Sequence, residues 1–366
     1  MRIIIAGGGT GGHLYPGICI AEKLQELNNE IIFIGTKNGL EAKILPEYNF
    51  KLLFLNVKGI VGKPFLQKII SFFDLFFALM KAFSICFKLK PDIVIGTGGY
   101  VSVPVLIAAW ILKYPRIILE QNTIPGIANK ILSHLVDYVC LPNEQASKYF
   151  KISSNKKENT GNPIRKKILN NTKELSLKFF ALSKNKKTIL FLGGGQGSHF
   201  INEITNQVIN ILEEEKHSFQ IIHITGKKDY VSFNLKQNYE FISLIRKPFL
   251  TNIEDAYCAA DLIISRSGAI SISEIMSIGI PAIFIPFPYA ANNHQWHNAK
   301  TLENNGAAIV LEQKEITISK LKNLILSLIY DENKLKKMSE KSKALFIENA
   351  TDKIVKIIYK IAQRRR

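Results

Sequence analysis

Arg2-Ile3-Ile4-Ile5-Ala6-Gly7-Gly8-Gly9-Thr10-Gly11-Gly12-His13 opens the chain, and Thr188-Ile189-Leu190-Phe191-Leu192-Gly193-Gly194-Gly195-Gln196-Gly197-Ser198 repeats its plan in the second half. Each stretch is an apolar run, read as a buried strand, that ends in a turn of glycines. A turn without side chains lets backbone N–H groups approach an anion and aims the next helix's N-terminus at it. Helical periodicity follows both turns, through Ile18, Ala21 and Leu24 and through Ile201, Ile204, Val208 and Ile211. Two such units predict an α/β chain of two Rossmann-like parallel-sheet domains facing across one cleft. His13 sets a titratable group beside the first anion site.

The echo continues outward. IIFIGT at 31–36 is matched by IIHITG at 221–226, and Asp92-Ile-Val-Ile-Gly-Thr-Gly-Gly by Asp261-Leu-Ile-Ile-Ser-Arg-Ser-Gly. A further strand opens with proline in both halves, PRIILEQ from Pro115 and PAIFIPF from Pro281. Apolar strands alternating with helices, bounded by Gly or Pro, indicate parallel sheets covered on both faces. Ligands of such sheets bind beyond the strands' C-terminal ends, where all these glycine turns fall. The polar run SSNKKENTGNP (153–163) reads as the hinge, dividing the chain into domains 1–160 and 161–346. The final segment, 347–366, contains an amphipathic helix with Ile354, Ile357 or Ile358, and Ile361 on one face. Its own half is complete without it, so it is expected to pack back onto the first domain.

With 366 residues, 47% hydrophobic and 21% charged, the chain is globular and long enough for two cores. The formal net charge of +18 points to anionic partners, discounted for a chain visibly rich in Lys, Ile and Asn. Cys19, Cys86, Cys140 and Cys258 lie far apart without a CxxC pair, which suits buried thiols in a reducing compartment. The four-residue apolar run before the first glycine is too short for a signal-peptide core, so a cytoplasmic protein is expected.

Gly7, Gly9 and Gly12 fit the dinucleotide pattern GxGxxG, yet the second strand ends Ile34-Gly35-Thr36, without the acidic residue that would hold an NAD ribose. No cofactor is expected. His13 is either a plain helix-start residue or a base poised beside an anion loop. Gly96-Thr97-Gly98-Gly99-Tyr100 is either a tight crossover or a second anion cradle at the same sheet edge. Ser265-Arg266-Ser267-Gly268-Ala269 occupies the matching place in the second half and opens a helix carrying Glu274. A glutamate there is either a dipole-complementing surface residue or the acceptor of two hydrogen bonds from a ribose diol. His294 and His297 are three apart, but no third ligand is suggested, so no metal is expected.

FLQKIISFFDLFFALMKAFSICFKL, Phe65 to Leu89, is apolar almost all round when read as a helix. Gln67, Ser71, Asp74, Ala78, Lys81 and Lys88 form its one narrow polar stripe, more apolar surface than a covering helix needs. It is long enough to span a bilayer, but Asp74 and Lys81 sit mid-segment, and a span would cut a sheet domain between its strands. It is either a thickly covered core helix or a patch that dips into an anionic membrane surface; the patch is the favoured reading, through Phe72, Phe76 and Leu79 with Lys68 and Lys81 beside them.

Taken together, GGGTGGHLYPG, GTGGYVSVP, LEQNTIPG, GNPIR, GGGQGS, SRSGAISISE and NNHQWHNA closely resemble the MurG family of bacterial cell-wall glycosyltransferases, in family order from Gly7 to about Ala350. The resemblance implies the GT-B fold and transfer of N-acetylglucosamine from UDP-N-acetylglucosamine to undecaprenyl-diphosphate-linked muramyl-pentapeptide, with inversion and without a metal. It implies that the second domain binds the donor. Phe249 and Leu250 would hold uracil and Glu274 the ribose. Ser267, Gly268 and Ala269 would face the pyrophosphate, and His294 and Gln295 would read the sugar. Arg165 would sit near the diphosphate, with Asn122, Thr10, Gly11, Gly12 and Gly195 as further donor contacts. Gly9, Thr10, Gly98, Gly99 and Tyr100 would hold the acceptor diphosphate. His13 would be the base, with Glu120 in reserve. Family members commonly carry serine in the third glycine loop (GGSQGA), where this chain has Gly195 and ends in Ser198. The implied location is the cytoplasmic face of the membrane, without nucleic acid as partner. A glycosyltransferase with another lipid acceptor and a UDP-N-acetylglucosamine 2-epimerase are the alternatives on the same plan.

Overall fold

A computed structural model describes residues 1–57, 65–233 and 238–363, with residues 65–72 described for their backbone alone. The chain divides into two compact units, Met1–Ile164 with Ile347–Arg366, and Arg165–Phe346. The division thus falls four residues beyond the expected one, after the GNPI of GNPIR, and the last segment groups with the first unit.

In the first unit the strands are β1 (Arg2–Gly7), β2 (Glu30–Gly35), β3 (Lys51–Phe54), β4 (Ile93–Gly98), β5 (Arg116–Leu119), β6 (Tyr138–Leu141) and β7 (Lys157–Asn159). They form a sheet in the order β3-β2-β1-β4-β5-β6-β7, every pair parallel. Strand β7 lies inside the polar run read as a hinge; that run is therefore partly an edge strand. Along β1, Ile3 and Ile5 enter one core and Ile4 and Ala6 the other, the period-two alternation of a sheet covered on both faces. Helices Gly11–Glu26 and Ala350–Gln363 close the first face, with Ile18, Leu24, Ile354, Ile358 and Ile361 all buried. The closing helix is also tied by Lys23–Asp352 at 3.2 Å and by Asn29 Nδ2 donating to Tyr359 Oη at 2.8 Å.

Helices Phe65–Leu89 and Ser102–Ile111 pack together on the other face. Ala78, Ala82 and Cys86 are the buried row of the former, with Leu79 half-buried against the core. Ala78 was expected in the outward polar stripe; its small side chain instead permits close approach of the neighbouring elements. The aromatic row faces solvent, and Phe73, Phe76, Phe77, Met80 and Phe87 are each more than half exposed, as Lys81 is exposed. The expected membrane residues Lys68 and Phe72 have side chains outside the described residues. Among the described residues, no helix is long and apolar enough to cross a membrane.

The second unit holds β8 (Thr188–Leu192), β9 (Gln220–Ile224), β10 (Ser243–Lys247), β11 (Leu262–Ser265), β12 (Ala282–Phe284) and β13 (Ala308–Val310), in the order β10-β9-β8-β11-β12-β13. All its pairs are parallel too. In both sheets the strand order reverses beside the strand that carries the first glycine turn, at β1/β4 and at β8/β11. Loops leaving the C-terminal ends of such a pair splay apart, and ligands of open parallel sheets lodge there.

Candidate active site

In the first unit, the turn after β1 leads into helix Gly11–Glu26, whose N-terminus no side chain caps. Glu41, fully buried, accepts from Gly9 N–H (2.7 Å), Thr36 N–H (2.7 Å) and Thr36 Oγ1 (2.8 Å). Its carboxylate fixes the turn from behind, and the Gly9 N–H is engaged inside the protein rather than offered to a ligand. Ser102, also buried, has its Oγ 2.7 Å from Ala6 O and 2.8 Å from Gly98 O, which compete for its one O–H, and it receives Gly98 N–H (3.2 Å). That hydroxyl ties the end of β1 to the end of β4.

His13 lies between these loops. Its Nδ1 is 3.0 Å from Gln121 Oε1. Gly98 has φ of +105°, and a Cβ there would lie 2.4 Å from His13 Nδ1, so only glycine allows the ring this seat. Tyr100, beside it in sequence, is half exposed. Thr10 is exposed, and Gly11 and Gly12 open the helix.

Glu120 is not placed as a base. Its buried carboxylate accepts from Gln121 N–H (2.9 Å), Asn122 N–H (2.8 Å), Asn122 Nδ2 (3.2 Å), Gly126 N–H (3.2 Å) and Asn129 Nδ2 (2.8 Å). Both oxygens are occupied, and the carboxylate's work is to hold the loop that follows β5. Asn122 belongs to that loop.

In the second unit, the turn after β8 leads into helix His199–Glu214, capped by Ser198 through a long 3.5 Å bond to Ile201 N–H. The turn after β11 opens helix Ala269–Ile278 with Gly268 as N-cap and no side-chain cap. Free N–H groups and the helix dipole at such an end favour an anion. Arg266, buried beside both turns, donates to Ile285 O (3.0 Å), Pro286 O (3.0 Å), Ser198 Oγ (2.8 Å) and Gln313 Oε1 (3.0 Å). Those acceptors are all neutral. Burial without a carboxylate partner pushes the guanidinium down to about 10 while leaving it charged, a fixed cation next to the glycine turn.

Glu274, one turn into helix Ala269–Ile278, is buried and paired with Arg165, whose Nε and Nη2 donate to Oε1 at 3.0 and 2.8 Å. Burial raises its carboxyl above the ordinary range, and Arg165 partly offsets the rise. The residues expected on the ribose and on the diphosphate are thus direct neighbours. Ser267 Oγ donates to Gln295 O (2.8 Å), while Gln295 Oε1 accepts from Phe287 N–H (3.0 Å). His294, half-buried, has Nδ1 2.8 Å from Ala291 O. Phe249 is exposed and Leu250 half-buried in the turn after β10. Among the described residues, no three His, Cys, Asp or Glu side chains gather as a metal site would require.

Sequence reasoning singled out neither Glu41 nor Gln121, and it quoted Arg266 without a role. Gln121 sat inside a quoted motif, at the C-terminal end of β5, where polarity after an apolar strand is itself a signal.

The chain matches the glycosyltransferase family 28 N-terminal domain over residues 3–141 and the family 28 C-terminal domain over residues 188–354. With its two parallel-sheet units, this makes it a GT-B glycosyltransferase, a hexosyltransferase by class. It is 41% identical to the UDP-N-acetylglucosamine--N-acetylmuramyl-(pentapeptide) pyrophosphoryl-undecaprenol N-acetylglucosamine transferase of Thermodesulfovibrio yellowstonii, covering 100% of both chains. The enzyme of the same name from Halothermothrix orenii is also 41% identical, over 98% of each. The crystal structure of Acinetobacter baumannii MurG superposes with a TM-score of 0.78 at 27% identity, over 98% of this chain and 99% of that one. A UDP-GlcNAc 2-epimerase from Neisseria meningitidis, 17% identical with a TM-score of 0.68 over 98% of this chain and 100% of its own, shares the fold. The chain belongs to the MurG family.

Proposed function

We propose that the protein transfers N-acetylglucosamine from UDP-N-acetylglucosamine to the C4 hydroxyl of undecaprenyl-diphosphate-MurNAc-pentapeptide, converting lipid I to lipid II in peptidoglycan synthesis. The observation that carries this is full-length similarity at 41% to enzymes named for that reaction, spanning both units at once. The 2-epimerase likeness is one of fold and supplies no competing chemistry.

The second unit is the donor half. Phe249 and Leu250 take uracil and Glu274 the ribose diol. Arg165, Gly195 and the uncapped turn at Ser267, Gly268 and Ala269 take the diphosphate, and His294 and Gln295 the sugar. Ribose binding at Glu274 requires Arg165 to exchange its carboxylate for the diphosphate. The charge at Arg266 favours the departing UDP without moving, since preorganised charge costs no reorganisation during reaction.

The first unit is the acceptor half, through Thr10, Gly98, Gly99 and Tyr100, while Gly11 and Gly12 at the uncapped helix start reach the donor. As the C4 oxygen bonds to the anomeric carbon, the bond from that carbon to the diphosphate oxygen breaks on the opposite face. The C4 proton passes to His13. A positioned base of this kind contributes about 10²–10⁴-fold. The exposed aromatic row of helix Phe65–Leu89, with Lys81, rests on the anionic cytoplasmic face of the membrane, where the acceptor's lipid is anchored.

Incubating radiolabelled UDP-N-acetylglucosamine with a short-chain lipid I analogue tests the reading. Labelled lipid II should form, and His13→Ala should lose at least about 10²-fold in kcat with donor KM within about twofold. Release of free N-acetylmannosamine instead of a labelled lipid, or His13→Ala at full rate, would overturn the reaction or the base respectively.

A further inference from the structure

We propose that Gln121 is the positioning residue that decides which nitrogen of His13 is free to take a proton. The inference rests on His13 being the base and names what prepares it.

The argument begins with the amide. Gln121 is 2% exposed, and its Nε2 lies 2.9 Å from Thr97 O and 3.3 Å from Leu119 O. Two carbonyls accept only, so the NH₂ end of the side chain faces them. That orientation leaves Oε1 as the atom 3.0 Å from His13 Nδ1. An amide oxygen cannot donate, so the hydrogen of this contact belongs to Nδ1. A neutral imidazole carries one N–H. Nε2 therefore holds the lone pair.

The backbone of Gln121 is pinned as firmly. Its N–H donates to Glu120 Oε1 at 2.9 Å, and its carbonyl receives Asn162 Nδ2 at 3.0 Å. Five donors saturate the Glu120 carboxylate, which is how a buried acid adjacent in sequence serves the histidine without touching it. A Cβ built on Gly98 or on Gly99 would come within 4 Å of the ring, so side-chain-free positions border it there. A tautomer chosen this way has a distinct consequence. With the hydrogen on Nε2 instead, the ring would present a donor to the acceptor hydroxyl and could not receive its proton.

Imidazole ¹⁵N–¹H correlation spectra of the full-length protein, histidine-labelled and assigned by difference from His13→Ala, read the tautomer directly. In the wild type Nδ1 should show a protonated-nitrogen shift and Nε2 an unprotonated one; the reverse pattern overturns the proposal with no variant needed. Gln121→Met should mix the two tautomers and lower kcat at least about tenfold, with donor KM within about twofold. Unchanged spectra and rate in folded Gln121→Met would also overturn it. Gln121→Glu still accepts from Nδ1, so the tautomer should persist. Its added charge favours imidazolium, so the acid limb of kcat should move up by about one pH unit. An inactive His13→Ala with the opposite tautomer leaves the base and removes Gln121. An active His13→Ala with the expected tautomer does the converse.

Discussion

Gly195 separates what the glycine turns need from what they merely contain. A Cβ at Gly197 would lie 2.1 Å from Thr225 O at φ +83°, so that position admits nothing larger. At Gly195 a Cβ would meet no atom within 4 Å, and its φ is not among the positive ones. Serine, which the family commonly carries there, therefore fits. A hydroxyl facing a diphosphate makes a hydrogen bond to a charged group, worth about 1.5–3 kcal/mol. Gly195→Ser should lower donor KM by about tenfold and leave kcat within twofold, read by steady-state kinetics over donor concentration. An unchanged KM would move the diphosphate away from this turn. The chain's own serine, displaced to Ser198, does other work as the acceptor for Arg266. Residue types in motifs were legible from sequence; partners such as Glu41, far along the chain from the turn it secures, were not. Hydrogen bonds across 32 or 108 residues, as in Glu41 to Gly9 and Gln121 to His13, leave no local pattern.

At the scale of elements, the buried strands β1, β2, β4, β5, β8, β9, β11 and β12 announce themselves because both faces are covered and every residue can be apolar. The overlooked ones are mostly edges. KLLF, KEN and SLIRK carry exposed or half-exposed lysine or glutamate because one side of an edge strand meets solvent. Helix Phe65–Leu89 shows the opposite failure. Its apolar character was plain, but which face turns inward was not, since the fully buried row consists of small residues while Phe73, Phe76, Phe77, Met80 and Phe87 point out. Exposed phenylalanines can be changed without opening the core. Phe73→Ser, Phe76→Ser and Phe77→Ser combined should weaken binding to vesicles containing anionic lipid by at least about thirtyfold, given about 1.5–3 kcal/mol for full burial of one such ring. The melting temperature should barely move. Co-sedimentation measures the first and circular dichroism the second. Full vesicle affinity in the folded triple variant would exclude this face as the membrane contact. Leu79 is a poor probe for the same purpose, being half-buried against the core.

The molecule as a whole carries two sheets with separate cores, and acid should tell them apart. His223 in β9 is fully buried, with Nε2 3.0 Å from Asn202 Oδ1 and Nδ1 receiving Arg246 Nε at 3.3 Å. Burial first, and the Arg246 charge second, push its pKa down to about 3. An unfolded histidine titrates near 6.5. Between those values the unfolded chain binds a proton that the folded one refuses, so stability falls as pH falls from about 6.5 towards 3. The loss reaches on the order of 4 kcal/mol at the lower end. The first unit's described histidines, His13 and His134, are half-buried and exposed, and neither is shut away as His223 is. In calorimetry at pH 7.5 and 4.5, the transition of the second unit should therefore move down more than that of the first. Saturating UDP should raise only the second-unit transition, by about 2.7 kcal/mol at a hundred times Kd. That gain should itself shrink at pH 4.5, because burial raises the Glu274 carboxyl and a protonated acid is a poorer acceptor for a ribose diol. His223→Gln should flatten the slope between pH 6.5 and 3 while leaving the UDP effect at pH 7.5 in place. Equal acid slopes for both transitions in the wild type would remove His223 as their cause.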